Sequence, residues 1–288
     1  MDQRVIDLYN DYVHGSMPRR DFLARLTGIL GSAAAVTAVL PLIEPNYVQA
    51  QQVAPDDKRI VTEYAKYKGQ QGDVRAFVAK PAGAGGKLPG VVVIHENRGL
   101  NAHIEDVARR AALAGYVAVA PDGLSAFGGA PVDQEQARDL FGKSDRAVID
   151  ADVLGAVTYL ASRVDASGKI GVVGFCYGGG MALQAAVQKP EVDAAVCFYG
   201  GAPKAEDVAK IKAPLCLHYA GSDERVNAGI TDLRAALDAN GVAYSLNMYP
   251  GTQHGFHNDS SAARYNEVAA KLAWSRTLAF FGQYLKAG

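Results

Sequence analysis

The sequence predicts an α/β fold: a mostly parallel sheet of about eight strands with helices on both faces. Three observations lead there. Short apolar runs rich in β-branched residues alternate with longer segments of helical period, as a parallel sheet covered on both faces requires. No linker divides residues 51–288, so they read as one domain. A glycine-rich turn, Gly174-Phe175-Cys176-Tyr177-Gly178-Gly179-Gly180, stands directly between one strand and one helix.

The elements follow in order. Arg59–Lys68 and Asp73–Lys80 alternate in polarity around Gly69-Gln70-Gln71-Gly72, which predicts a hairpin. Val91-Val92-Val93-Ile94 is a continuous run, as in a strand buried on both faces. His103–Ala114 has helical period and stops at Gly115. Tyr116–Ala120 is a strand closed by Pro121-Asp122-Gly123, and Gln134–Ala161 holds one or two helices. Lys169–Phe175 is a strand and Gly178–Gln188 a helix. Ala194–Tyr199 and Leu215–Tyr219 are strands, followed by a helix at Ile230–Ala239 that ends at Asn240-Gly241. Ala243–Tyr249 is the last strand, and Ser261–Leu285 a long final helix.

Residues 1–50 read as an export signal. Arg19-Arg20-Asp21-Phe22-Leu23 is followed by a stretch from Leu26 to Ile43 interrupted only by Thr27, Ser32 and Thr37 as polar residues, and then by Val48-Gln49-Ala50. A charged start, an apolar middle and a small-x-small end describe a secretory signal. The twin arginine resembles the signal of the twin-arginine route, which makes its translocase a partner and the periplasm the destination. The competing readings are a soluble helical extension or an uncleaved membrane anchor; the stretch is borderline for a span of about 20 residues.

Composition removes other classes. The chain of 288 residues has 29 basic and 30 acidic residues, a net charge of -1, and gives no electrostatic footprint for nucleic acid. Four arginines and five acids lie in residues 1–50, so the remainder balances at 25 against 25. A hydrophobic content of 49% excludes intrinsic disorder. Three cysteines are too few, and odd in number, for a disulfide scaffold. Cys197 and Cys216 lie inside apolar strands and read as small buried fillers.

The glycine-rich turn carries the chemistry. It is the nucleophile-elbow pattern G-x-S-x-G with Cys176 in the serine position. A tight strand-to-helix turn requires small flanking residues, and the helix N-terminus then directs N–H groups and a positive dipole at the sulfur. A nucleophile needs a base, and the base an orienting group. In α/β-hydrolases both come later in the chain, acid before histidine. Asp223 lies past the strand 215–219 and His254 past the strand 243–249, the positions where a parallel sheet gathers its functional loops.

On these residues the chain resembles the dienelactone hydrolase family, the cysteine branch of the α/β-hydrolase fold. The resemblance rests on His95-Glu96-Asn97-Arg98-Gly99, Pro121-Asp122, Gly174–Gly179, Gly221-Ser222-Asp223 and Gly251–Phe256. It implies Cys176 as nucleophile, His254 as base, Asp223 as its orienter, and Glu96 as a carboxylate that meets the thiol. It also implies an oxyanion hole of the Asn97 and Tyr177 backbone N–H groups, each donor contributing about 3 kcal/mol. One departure matters. Family members grip a substrate carboxylate with two arginines, and the corresponding positions here are Asn258 and Gln134. Arg98, Arg138 and Arg225 are the candidates to replace them.

Other residues carry less. His254 and His257 stand three apart without a further cluster to complete a metal site, and no P-loop or dinucleotide motif is present, so no metal and no cofactor is expected. His95 reads as packing under the oxyanion loop, His103 and His218 as ordinary structural residues, and Trp274 as core. The functional expectation is an exported hydrolase of a lactone or small carboxylic ester. The alternatives are a promiscuous carboxylesterase and a non-catalytic exported binding protein on the same scaffold.

Overall fold

The computed structural model describes residues 2–15, 17–44 and 51–286. Eight strands form one sheet: β1 (Ile60–Gly69), β2 (Gly72–Pro81), β3 (Leu88–Ile94), β4 (Val117–Pro121), β5 (Ala166–Phe175), β6 (Val192–Phe198), β7 (Leu215–Ser222) and β8 (Tyr244–Gln253). Their order is β1-β2-β4-β3-β5-β6-β7-β8. The hairpin β1–β2 is antiparallel, and β2 joins β4 antiparallel; every later pairing is parallel. The carboxyl ends of β3, β5, β6, β7 and β8 therefore share one edge, with β5 at the centre.

Three helices precede the sheet: α1 (Gln3–His14), α2 (Arg19–Leu30) and α3 (Ala33–Ile43). The helices between and after the strands are α4 (Ala102–Leu113), α5 (Gln134–Lys143), α6 (Arg146–Ser162), α7 (Tyr177–Gln188), α8 (Ala205–Val208), α9 (Glu224–Asn227), α10 (Ile230–Ala239) and α11 (Glu267–Phe281). The alternation along each strand sorts two cores onto two faces. Val92, Ile94, Ile170 and Val172 pack with α6, α7 and α10 on one face. Val91, Val93, Val173 and Phe175 pack with α4 and α11 on the other.

That alternation also separates Cys197 from Cys216. Cys216 pairs with Val196, while Cys197 pairs with Leu217. A one-residue offset between neighbouring strands points the two thiols to opposite faces, and both are free and buried.

Several boundaries differ from the sequence reading. β7 and β8 run further than their apolar cores because they continue to pair, through a register shift, as far as Ser222 and Gln253. Gly221 allows this close approach, since a Cβ there would press on the Tyr249 carbonyl. The last helix begins at Glu267, where Asn266 accepts from the Ala269 N–H as N-cap. The residues before it are held otherwise: Ser261 Oγ donates to the Ile43 carbonyl and the Ala263 N–H to the Leu42 carbonyl.

The three N-terminal helices, in the segment read as an export signal, pack together. They enclose a core of their own, in which Tyr9, Tyr12, Phe22 and Leu26 are almost fully buried, with the Tyr12 and Phe22 rings stacked at 4.3 Å. The apolar stretch from Leu26 to Ile43 is broken at Gly31, whose φ is 82°. α2 and α3 meet there at 111°, and among the described residues no single helix is long and apolar enough to cross a membrane. The small-x-small pattern Val48-Gln49-Ala50 lies outside the described residues.

Candidate active site

Cys176 connects β5 to α7 with φ 55° and ψ -113°, a conformation that costs a non-glycine residue on the order of 1–3 kcal/mol. The glycines around it are required sterically. A Cβ on Gly174 would collide with the Gly178 carbonyl, one on Gly178 with the Ile94 carbonyl, and one on Gly179 with the Phe198 carbonyl. The Cys176 N–H donates to the Phe198 carbonyl at 3.0 Å, which pins the turn to β6. Tyr177, one of the two expected oxyanion residues, is the first residue of α7; its N–H is among the donors a helix leaves without an internal acceptor. Tyr177 is anchored by its hydroxyl, which donates to Asp150 Oδ1 at 2.7 Å.

Asp223 follows β7 directly and His254 follows β8 directly. The His254 Nδ1 lies 2.6 Å from Asp223 Oδ2, with both side chains buried. A carboxylate only accepts, so this contact places the ring proton on Nδ1 and leaves Nε2 for the sulfur. Burial opposes charge on His254, but the Cys176 sulfur and the Asp223 carboxylate outweigh it and raise the imidazole to about 9. Burial would raise Asp223; the hydrogen bond to His254 outweighs that and lowers it from the ordinary carboxylate value.

Glu96 lies in the loop that follows β3. Its Oε2 accepts from Asn258 Nδ2 at 2.7 Å, and among the described residues no hydrogen bond joins it to the thiol. Asn258, which stands where the resemblance puts an arginine, is thus fully buried and serves the glutamate. Gln134 opens α5 and its Nε2 donates to the Val132 carbonyl. His95 lies beneath this loop: its Nε2 accepts from the Gly123 N–H at 3.0 Å, so its Nδ1 donates to the Glu96 carbonyl. Burial holds that imidazole below its ordinary value.

The residue that sequence reasoning missed is His14. The last residue of α1, it lies with its Nδ1 3.8 Å from Cys176 Sγ and its ring 4.5 Å from the His254 ring, edge on. A ring nitrogen of His14, one of His254 and the Cys176 sulfur all lie within 4.8 Å of one another. Burial, with His254 and Arg225 nearby, lowers His14 well below the usual histidine value. One signal was legible: Val5, Leu8, Tyr9, Tyr12 and Val13 have the spacing of an amphipathic helix ahead of the twin arginine.

Around His14 the N-terminal helices close the cleft. Asn97, the other expected oxyanion residue, donates from Nδ2 to the Val13 carbonyl at 2.9 Å. Tyr12 donates to Glu135, and Arg138 lies 3.9 Å over the Tyr12 ring. Arg19, the first of the twin arginines, is paired with Glu44 at 3.0 Å and Glu135 at 2.9 Å. Two cavities of about 810 and 720 Å³ flank His14. Cys176, Tyr177, Asn97 and Arg138 line the first, and His254 and Asp223 line the second; Arg225 borders both. Of the three candidate arginines, Arg98 is buried against Asn97 and Tyr9, and Arg138 is occupied by Tyr12, Glu135 and Asp139. Arg225 makes no ion pair among the described residues.

Sheet order and elbow define an α/β-hydrolase. The family model of the Dienelactone hydrolase family matches residues 74–285, and the chain belongs to that family, a family of carboxylic ester hydrolases. A second model, described as YqhI-like, matches residues 1–29. A provisionally named carboxymethylenebutenolidase of Escherichia coli is 32% identical over 245 residues, covering 80% of this chain and 89% of that one. A provisional hydrolase fragment, YghX, of the same organism is 53% identical over 105 residues, covering 36% of this chain and 90% of its own length. A crystal structure of a provisionally assigned dienelactone hydrolase from Klebsiella pneumoniae has a TM-score of 0.69 at 29% identity, covering 78% of this chain and 99% of that one.

Proposed function

We propose that the protein opens a lactone or cleaves a small carboxylic ester by acyl transfer through Cys176. The observation that carries this is the buried contact of 2.6 Å between His254 and Asp223, with the Cys176 sulfur beside the same imidazole. The thiolate attacks the carbonyl while the Asn97 and Tyr177 N–H groups hold the oxyanion. His254 gives its proton to the leaving oxygen, then takes one from the water that releases the acid. The names of the relatives support a substrate of the enol-lactone type. The loss of the paired arginines, with Asn258 committed to Glu96, supports a broader ester range. Turnover of cyclic enol lactones and of p-nitrophenyl esters by wild type and Cys176→Ala tests the reading. Undiminished hydrolysis in the variant would end it.

The same reading keeps residues 2–44 on the enzyme. Removing them would uncover the Tyr12–Glu135 and Asn97–Val13 contacts and take His14 from the site. Export by the twin-arginine route is compatible with retention, because that route carries folded proteins. Cell fractionation with an antibody against residues 2–15 tests both statements: signal in the periplasmic fraction supports them, and a periplasmic enzyme lacking the epitope removes the retention.

A further inference from the structure

We propose that His14, Cys176 and His254 form a Zn²⁺ site that switches the hydrolase off. Thiolate and imidazole are both ligand types that Zn²⁺ takes, and three protein ligands would leave the fourth position of a tetrahedron open. The three ligand atoms lie within 4.8 Å of one another, and the Cys176 sulfur lies 3.8 Å from His14 Nδ1. Bonds of about 2.3 Å to sulfur and 2.0–2.1 Å to nitrogen in a tetrahedron put S and N on the order of 3.5 Å apart. Closing the triangle takes small side-chain shifts.

Two further observations point the same way. Nε2 of His254, the ring atom left for the sulfur, is buried without a nitrogen or oxygen partner and so is open to an ion at that place. His254 is held through Nδ1 by the Asp223 carboxylate, the outer-shell arrangement that orients zinc-binding imidazoles. The cavities flanking His14 give the ion an entry path, since Cys176 borders one and His254 the other.

The chemistry balances without a redox partner. The ion takes Cys176 as thiolate and His254 as neutral imidazole, so a proton carried on either side chain must go. When sulfur and nitrogen both donate lone pairs to the ion, that proton leaves to solvent. The inhibitory consequence rests on the proposed function, because the ion occupies the nucleophile and base assigned there. The site itself does not.

The test uses the full chain stripped of metal. Zn²⁺ uptake is read by competition with a chromophoric chelator, and Co²⁺ is the spectroscopic probe. The expected result is one ion per chain, with a sulfur-to-cobalt charge-transfer band that disappears in Cys176→Ser. His14→Gln weakens binding at least about 10-fold, and Asp223→Asn weakens it about 10-fold or more through the outer shell. Wild type without the band, or a folded His14→Gln variant of unchanged affinity, would overturn the proposal. Uptake is read independently of turnover. An inactive protein that binds Zn²⁺ counts against the ester reading alone, and an active one that does not bind counts against the zinc site alone.

Discussion

Asn258 Nδ2 donates to Glu96 Oε2 at 2.7 Å, both groups buried at the edge of the candidate site. The glutamate expected beside the thiol is thus held by a neutral amide. Removing that amide leaves a buried carboxylate without its donor, which costs about 2–3 kcal/mol. Asn258→Ala is expected to lose that much stability in urea titrations, and Asn258→Asp more, because two carboxylates would then face each other. Glu96→Gln should soften the Asn258→Asp penalty in a double-mutant cycle.

The contacts of His254 with the Cys176 sulfur and the Asp223 carboxylate set a pH window for stability. His254 is raised from 6.5 to about 9, so its contribution, up to about 3 kcal/mol, is complete below pH 6.5 and lost as pH climbs through about 9. Asp223 is lowered, so its contribution is present above its ordinary value of 3.8 and lost as pH falls through its lower folded value. Thermal melts at pH 7 and pH 10 should show a fall in wild type. His254→Gln should lack the part due to these contacts.

The elbow stores strain that a glycine would relieve. Cys176 has φ 55°, where an L side chain is disfavoured. Alanine retains the clash and glycine does not. Cys176→Gly should therefore be about 1 kcal/mol more stable than Cys176→Ala, both inactive, as read by calorimetry. Equal stability would mean that the turn is unstrained.

Arg225 borders both cavities, whereas Arg98 and Arg138 are engaged with the N-terminal helices. Arg225→Ala is expected to raise KM about 10-fold for an ester bearing a carboxylate, the loss of one charged hydrogen bond. A neutral ester should change less than about 2-fold. A uniform change across both substrates would remove Arg225 from anion recognition.

Phe22 is fully buried in the N-terminal core and stacked on Tyr12. Phe22→Ala should cost that core about 3–5 kcal/mol. Hydrogen exchange followed by mass spectrometry should then show residues 3–43 losing protection while the sheet keeps its own. Loss of protection in the whole molecule would mean that the segment and sheet unfold as one unit.

Much of this was legible. Val91–Ile94 and Gly171–Val173 are apolar at every position or tight with glycine, and such runs suit only strands covered on both faces. The elbow glycines announce the turn because nothing larger fits against the Gly178, Ile94 and Phe198 carbonyls. Asp223 and His254 followed from the order of strands and loops. The Glu96–Asn258 bond was not legible, since it joins residues 162 positions apart through the register of β3 against the loop after β8.

By itself, then, the sequence determined the sheet, the elbow and the chain order Cys176, Asp223, His254. Those depend on local pattern: hydrophobic period, small residues at a tight turn, and loops that follow strands. Only the tertiary structure decided what surrounds Cys176. Residues 2–15 and 17–44 have the composition of a leader, and composition says nothing about where they pack. Their place is set by long-range contacts, Tyr12 with Glu135, Arg19 with Glu135 and Asn97 with Val13, which bring His14 to a sulfur 162 residues away.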